Sequence, residues 1–149
     1  MIHGAFYAIE ARYRSNGFRD HISQATEMHL SWDYHGNFSF ESGRQAFKDF
    51  QKLDEKPEAI FASNDAMCHA FMEEALLHGY NVPGDIAIVG YDDLPICKRH
   101  RPSISSVHTN YQKLGEVTMA KLKEVLSNPK QEKGVLSMVP DTLMERESS

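Results

Sequence analysis

At 149 residues, 41% of them hydrophobic, the chain is long enough for one domain that buries a core without disulfide or metal staples. Sixteen Lys and Arg against 21 Asp and Glu leave a formal charge of −5, which excludes a face built to neutralise nucleic-acid phosphates. The short cationic run Lys98-Arg99-His100-Arg101 stands just before Pro102 and reads as a solvated loop.

Met1 to Gly4 reads as a short first strand, followed by a helix over about 8–24 and a strand over 27–31. The turn-rich loop from Trp32 to Phe38 leads to Ser39, an N-cap for a helix running to Leu53 with Phe40, Phe47 and Phe50 on related faces. Ala59 to Ser63 reads as a buried strand, Asn64 caps the next helix, and Asp65 sits against its positive end. That helix carries Met67, Ala70, Phe71, Ala75 and Leu77 at helical spacing and stops at Gly79, with Pro83 beyond.

A strand over Ile86 to Gly90, a long loop to Pro102 and a strand over Ser105 to His108 come next. Asn110 caps a helix over 111–126 whose stripe is Leu114, Val117, Leu122, Val125 and Leu126. Two closing strands are predicted over 135–139 and 142–147, broken at Pro140 and Asp141. Strands alternating with amphipathic helices predict an α/β domain: an open, mostly parallel sheet flanked by helices. Cys68 and Cys97 lack CxxC spacing, which predicts reduced thiols in a cytoplasmic protein. With no signal-peptide pattern and no apolar run of about eighteen residues, neither secretion nor a membrane span is expected.

Two apolar strands each end in polar groups, Asn64-Asp65 and Asp92-Asp93, and such strand ends are where open parallel sheets bind ligands. Residue by residue these blocks resemble the lactose-repressor/galactose-repressor (LacI/GalR) family of transcription regulators. Its pattern P-x-A-I-F-A-x-N-D-x-M is matched by Pro57, Ala59, Ile60, Phe61, Ala62, Asn64, Asp65 and Met67. The pattern G-x-x-V-P-x-D-I-x-I-x-G-x-D-D is matched by Gly79, Val82, Pro83, Asp85, Ile86, Ile88, Gly90, Asp92 and Asp93. Arg14 with Gly17-Phe18 and Leu114-Gly115 with Leu122 extend the resemblance from about Gly4 to the end.

The resemblance implies that residues 1–149 are the C-terminal effector-binding and dimerisation region of a periplasmic-binding-protein-like core. The helix over about 111–126 would cross to an N-terminal subdomain, and no DNA-binding domain lies in this chain. Operator DNA would be met only through a helix-turn-helix segment outside it. Family dimers pair near the positions of His69 and Leu94 to His100, so a homodimer or higher assembly is expected. The effector would be a sugar, a sugar phosphate or a nucleobase.

Four residues carry over as ligand contacts. Arg14 offers a fixed donor fork, its alternative being an exposed helical charge. Phe38 offers an aromatic face to a pyranose or a base, its alternative being a core ring. Asn64 can cap its helix with one side-chain atom and turn its amide to the cleft. Asp92 can accept two sugar hydroxyls or a base amine, its alternative being turn chemistry, whereas Asp93 is expected to bond backbone amides in the loop.

An enzyme is not expected. Asp92 and Asp93 are adjacent strand residues that point apart and cannot flank one bond. The eight histidines show no H-x-x-x-H or H-E-x-x-H spacing, and no G-x-S-x-G, P-loop or G-x-G-x-x-G occurs, so no metal and no cofactor is expected. The competing reading is an interaction module that keeps the family's oligomer interface and self-associates without sensing a ligand, and a stripe on the last helix left without its partner lobe would add to self-association.

Overall fold

The computed structural model describes residues 1–128 and 136–149. In chain order the elements are β1 (Ile2–His3), α1 (Ile9–Gln24), β2 (Tyr34–His35), α2 (Phe40–Phe50), β3 (Ala59–Phe61) and α3 (Asp65–Leu77). They continue with β4 (Ala87–Asp92), α4 (Pro95–Arg99), β5 (Ser105–His108), α5 (Tyr111–Ser127) and β6 (Thr142–Met144). β3, β4 and β5 pair in parallel and β6 closes the edge antiparallel to β5. β1 and β2 pair in parallel, and a single parallel bridge between Ile2 and Ala62 ties them to the rest. The strands thus lie in the order 2-1-3-4-5-6, the open, mostly parallel sheet that the alternation predicts. The chain steps outward from β1 to β2 and then reverses to β3, so β1 and β3 flank the switch point at whose carboxyl side such sheets take ligands.

Period-two alternation decides what each face of the sheet meets. On one side Ile60, Ala62 and Ile88 are buried, and Gly90 faces Cys68 of α3. On the other, Phe61 stacks on Phe18 of α1 with ring centroids 5.3 Å apart, and this face is only half covered. The core between the first face and α2 and α3 is aromatic. Phe71 lies 5.5 Å from Phe47 and 5.4 Å from Phe50, and Trp32 lies 6.0 Å from Phe50, its indole N–H donating to Asp49.

The two helices cross closely because α2 carries Gly43, where an added Cβ would stand 2.4 Å from the Met67 carbonyl oxygen. That obstacle is backbone and cannot swing aside. Gly43→Ala is therefore expected to destabilise the fold by about 1–3 kcal/mol, read as a lowered urea midpoint; an unchanged midpoint would mean that the helices separate freely.

The capping residues behave as predicted. The side chains of Ser39, Asn64 and Asn110 accept from the backbone N–H groups of Ser42, Met67 and Lys113. Gly79 follows α3 with a left-handed φ of 85°.

Several expectations are corrected. Residues 27–31 form no strand, because the Met1 and His3 carbonyls accept from the Tyr34 and Gly36 N–H groups and leave the earlier segment without a neighbour. α2 ends at Phe50 rather than Leu53, and Leu77 is exposed at the end of α3. The loop before Pro102 contains the short helix α4.

At the end of the chain, 136–139 is not a strand and Val135 lies outside the described residues; the last strand stops at Met144. Beyond it, side chains stitch the tail to the sheet. The Ser148 hydroxyl donates to the Ile88 carbonyl and accepts from the Ser105 N–H, and the Arg146 N–H donates to the Ser105 hydroxyl.

Among the described residues α5 buries no side chain, and Leu114, Leu122 and Val125 of its predicted stripe all face solvent.

Candidate ligand-binding site

Each of the four parallel strands around the switch point delivers a residue at its carboxyl end. β3 runs into Ser63 and Asn64, β4 ends at Asp92, β1 is followed by Gly4, and Phe38 lies three residues beyond β2.

Arg14 reaches across from α1. Its guanidinium donates to the Ser63 carbonyl at 2.6 Å and to Asp92 Oδ1 at 3.1 Å, and lies 3.8 Å from the centre of the Tyr91 ring. It is therefore not a free helical charge. One planar fork ties together the ends of β3 and β4.

Asp92 is half-buried in a left-handed conformation, φ 108°, and accepts a second bond from the Tyr111 hydroxyl at 3.3 Å. Burial lifts its carboxyl above the usual aspartate range while Arg14 pulls the other way. Its backbone strain is of the kind that surrounding contacts must hold in place, and such residues gather at binding sites.

Phe38 and Asn64 form a second unit. Asn64 Oδ1 caps α3, and its amide donates to the Phe38 carbonyl at 2.9 Å. Both side-chain atoms are thus engaged, with one amide N–H spent on a backbone oxygen. That bond holds Phe38 at φ 69°, a conformation uncommon outside glycine. The Phe38 ring covers Gly4, where an added Cβ would stand 2.1 Å from Phe38 Cζ. The ring is half-buried, so it packs on the core with one part and leaves the rest open.

Asp93 departs from expectation. Its buried carboxylate pairs with Arg146 and, at 3.1 Å, with His108, and does not bond loop amides. These partners are distant in sequence and carry no local signal. Asp65 likewise does more than face a helix terminus. It is fully buried, accepts from the Ser106 hydroxyl at 2.6 Å and the Leu94 N–H at 2.7 Å, and reaches past β4 because Gly90 has no side chain.

Beside Arg14, a recess of about 370 Å³ is lined by Tyr13, Gly17, Phe18, Phe61 and Tyr91. Aromatic walls with one guanidinium, itself bonded to the Asp92 carboxylate, suit a small ligand carrying both an apolar face and hydrogen-bonding groups.

Residues 4–149 match the family profile of the periplasmic binding protein-like domain. The HTH-type transcriptional repressor PurR of Mannheimia succiniciproducens is 26% identical over 139 residues, 93% of this chain and 42% of that protein. The NTD biosynthesis operon regulator NtdR of Bacillus subtilis is 28% identical over 137 residues, 91% of this chain and 42% of that protein. The chain thus spans about two fifths of the length of the curated relatives it matches.

Among solved structures, the complex of the transcriptional regulator CelR with cellobiose superposes with a TM-score of 0.87 at 27% identity, over 99% of this chain and 45% of that one. A putative LacI regulator from Bacillus cereus subsp. cytotoxis gives 0.90 at 26% identity, over 99% of this chain and 52% of that one. With both blocks of the sequence pattern seated on this sheet, the chain belongs to the periplasmic binding protein-like domain family, in the form carried by LacI/GalR-type regulators.

Proposed function

We propose that the chain is the effector-sensing and dimerisation part of a cytoplasmic LacI/GalR-type DNA-binding transcriptional repressor. A sugar, sugar phosphate or nucleobase binds between this domain and a second lobe, and its binding is transmitted to a DNA-binding head outside this chain. The observation that carries the reading is the Arg14 fork joining Ser63 to Asp92 at the switch point. Two of its five N–H donors are used there, so the rest remain for a hydroxyl, a phosphate oxygen or a ring nitrogen. Asp92 accepts on Oδ1, which leaves Oδ2 for a ligand donor. Phe38 supplies the stacking face, and Asn64 acts by fixing Phe38.

Transmission follows from Tyr111, the first residue of α5, whose hydroxyl meets the same carboxylate. A ligand held on Oδ2 shares the carboxylate with this bond, and where it binds better with α5 in one position than in another it alters the balance between them, a population shift driven by differential affinity. The stripe of α5 is the surface offered to the second lobe. For dimerisation, His69 of α3 and His100 after α4 meet edge to face with centroids 4.7 Å apart, beside the exposed ring of Phe40. The exposed α5 stripe also favours the second reading, a self-associating module without ligand sensing.

Thermal unfolding of this chain with millimolar cellobiose, glucose 6-phosphate or hypoxanthine separates the two. A sensor is stabilised by at least one of them through mass action. Asp92→Ala is expected to weaken that ligand about 10- to 100-fold, the range for lost charge-assisted hydrogen bonds, and to keep the far-ultraviolet circular dichroism of the native chain. No stabilisation by any of the three would leave the self-associating module.

A further inference from the structure

A second cluster lies at the β1–β2 end of the sheet. β1 and β2 pair so that His3 stands directly opposite His35, and Asp33, two residues before His35, projects to the same side. One donor atom from each of the three residues falls within 4.8 Å of the others. We propose that His3, Asp33 and His35 form a binding site for a divalent transition-metal ion of the zinc type.

The donor set is two imidazoles and one carboxylate, a combination that binds zinc and leaves a fourth position for water or another ligand. Ligands about 2.1 Å from a tetrahedral zinc stand roughly 3.4 Å apart, and His3 Nε2 lies 3.4 Å from Asp33 Oδ2.

The outer partner of His3 is also in place. The ring is buried, and Nδ1 lies 2.8 Å from the Ser15 hydroxyl of α1. An N–H on Nδ1 donating to that oxygen leaves the lone pair on Nε2, facing Asp33 and Arg19. A second group holding the far ring nitrogen in this way is how proteins fix the tautomer of a metal-binding imidazole. His35 is exposed, its ring stacked on His3 with centroids 4.8 Å apart, so it can turn toward a shared ion without disturbing the core. A recess of about 150 Å³ lined by His3, Ser15, Asn16, Arg19 and His35 opens at this point and admits a fourth ligand.

Arg19 is the competitor. Its guanidinium pairs with Asp33 and occupies the charge position that a metal ion would fill. Its side chain is 46% exposed, so it can withdraw into solvent. Metal binding exchanges this ion pair for coordination, which gives the site a directional signature. Removing Arg19 strengthens metal binding, whereas removing a ligand weakens it.

The test is titration calorimetry of the chelator-stripped full chain with zinc chloride, paired with the visible spectrum of the cobalt(II) form. One ion per chain is expected, with cobalt bands free of thiolate charge transfer because Cys68 and Cys97 are buried elsewhere in the core. His35→Gln, at an exposed position, should weaken zinc at least 10-fold with unchanged circular dichroism, and Arg19→Gln should tighten it several-fold. His29→Gln, at an exposed histidine outside the cluster, should leave zinc affinity unchanged. Absence of stoichiometric zinc binding by the native chain would overturn the site, as would native affinity in His35→Gln or weaker binding in Arg19→Gln.

Discussion

Alanine in place of Asp65 is expected to remove about 3 kcal/mol of stability. The carboxylate is the acceptor for the Ser106 hydroxyl and the Leu94 N–H, and each donor left unpaired inside the protein costs about 1–3 kcal/mol. Relief of a buried charge offsets part of that sum. The loss should appear as an earlier urea midpoint followed by Trp32 fluorescence, and a midpoint within error of the native value would mean that water replaces the carboxylate.

Asparagine at the same position isolates the charge. Burial, the largest influence, raises the folded-state value of Asp65 above the ordinary 3.8. A raised carboxyl contributes stability that is complete below the unfolded value and is lost as pH rises through the folded one. The native chain should therefore lose stability relative to Asp65→Asn as pH climbs from just below 4, and parallel pH profiles for the two proteins would contradict the assignment.

Phe71→Ala should be at least as damaging, at about 3–5 kcal/mol. Phe71 is fully buried between Phe47, Phe50 and Trp32, so truncation removes its own burial and strips contacts from three other rings. The cavity cannot close by collapse of α2 onto α3, because Gly43 already meets the Met67 carbonyl. A red-shifted Trp32 emission should accompany the lowered midpoint. A loss below about 1.5 kcal/mol, the level of a well-tolerated swap, would show that the aromatic cluster repacks.

What could be read from the chain alone was what is decided within a few residues. Ser39, Asn64 and Asn110 cap their helices because a cap bonds only three residues ahead. β5 falls on Ser105–His108 as expected, since proline and an N-cap bracket it. What was hidden depends on pairing across the sheet. The strand expected at 27–31 gave way to Tyr34–His35 because β1 chooses its partner by backbone hydrogen bonds, not by composition.

At the candidate site, the residue types were visible but their mutual bonds were not. Arg14 is 78 positions from the carboxylate it holds, and Asn64 is 26 from the carbonyl it fixes. Asp93 was misjudged for the same reason, its partner Arg146 being 53 positions away. The Asp33-Tyr34-His35 triplet carries the i, i+2 spacing that puts two ligand types on one strand face, but His3 joins them only through the register of β1 with β2.

β5 and β6 are neighbours, and their last rung pairs His108 with Thr142. Among the described residues between those two, none pairs in the sheet, so to the ladder the excursion is one closed loop. Closure entropy grows only with the logarithm of length, about 0.6 kcal/mol for each doubling. The ladder therefore sets little limit on the length of the excursion, and what ties it to the site is its two ends, Tyr111 on Asp92 and Asp141 on Tyr91.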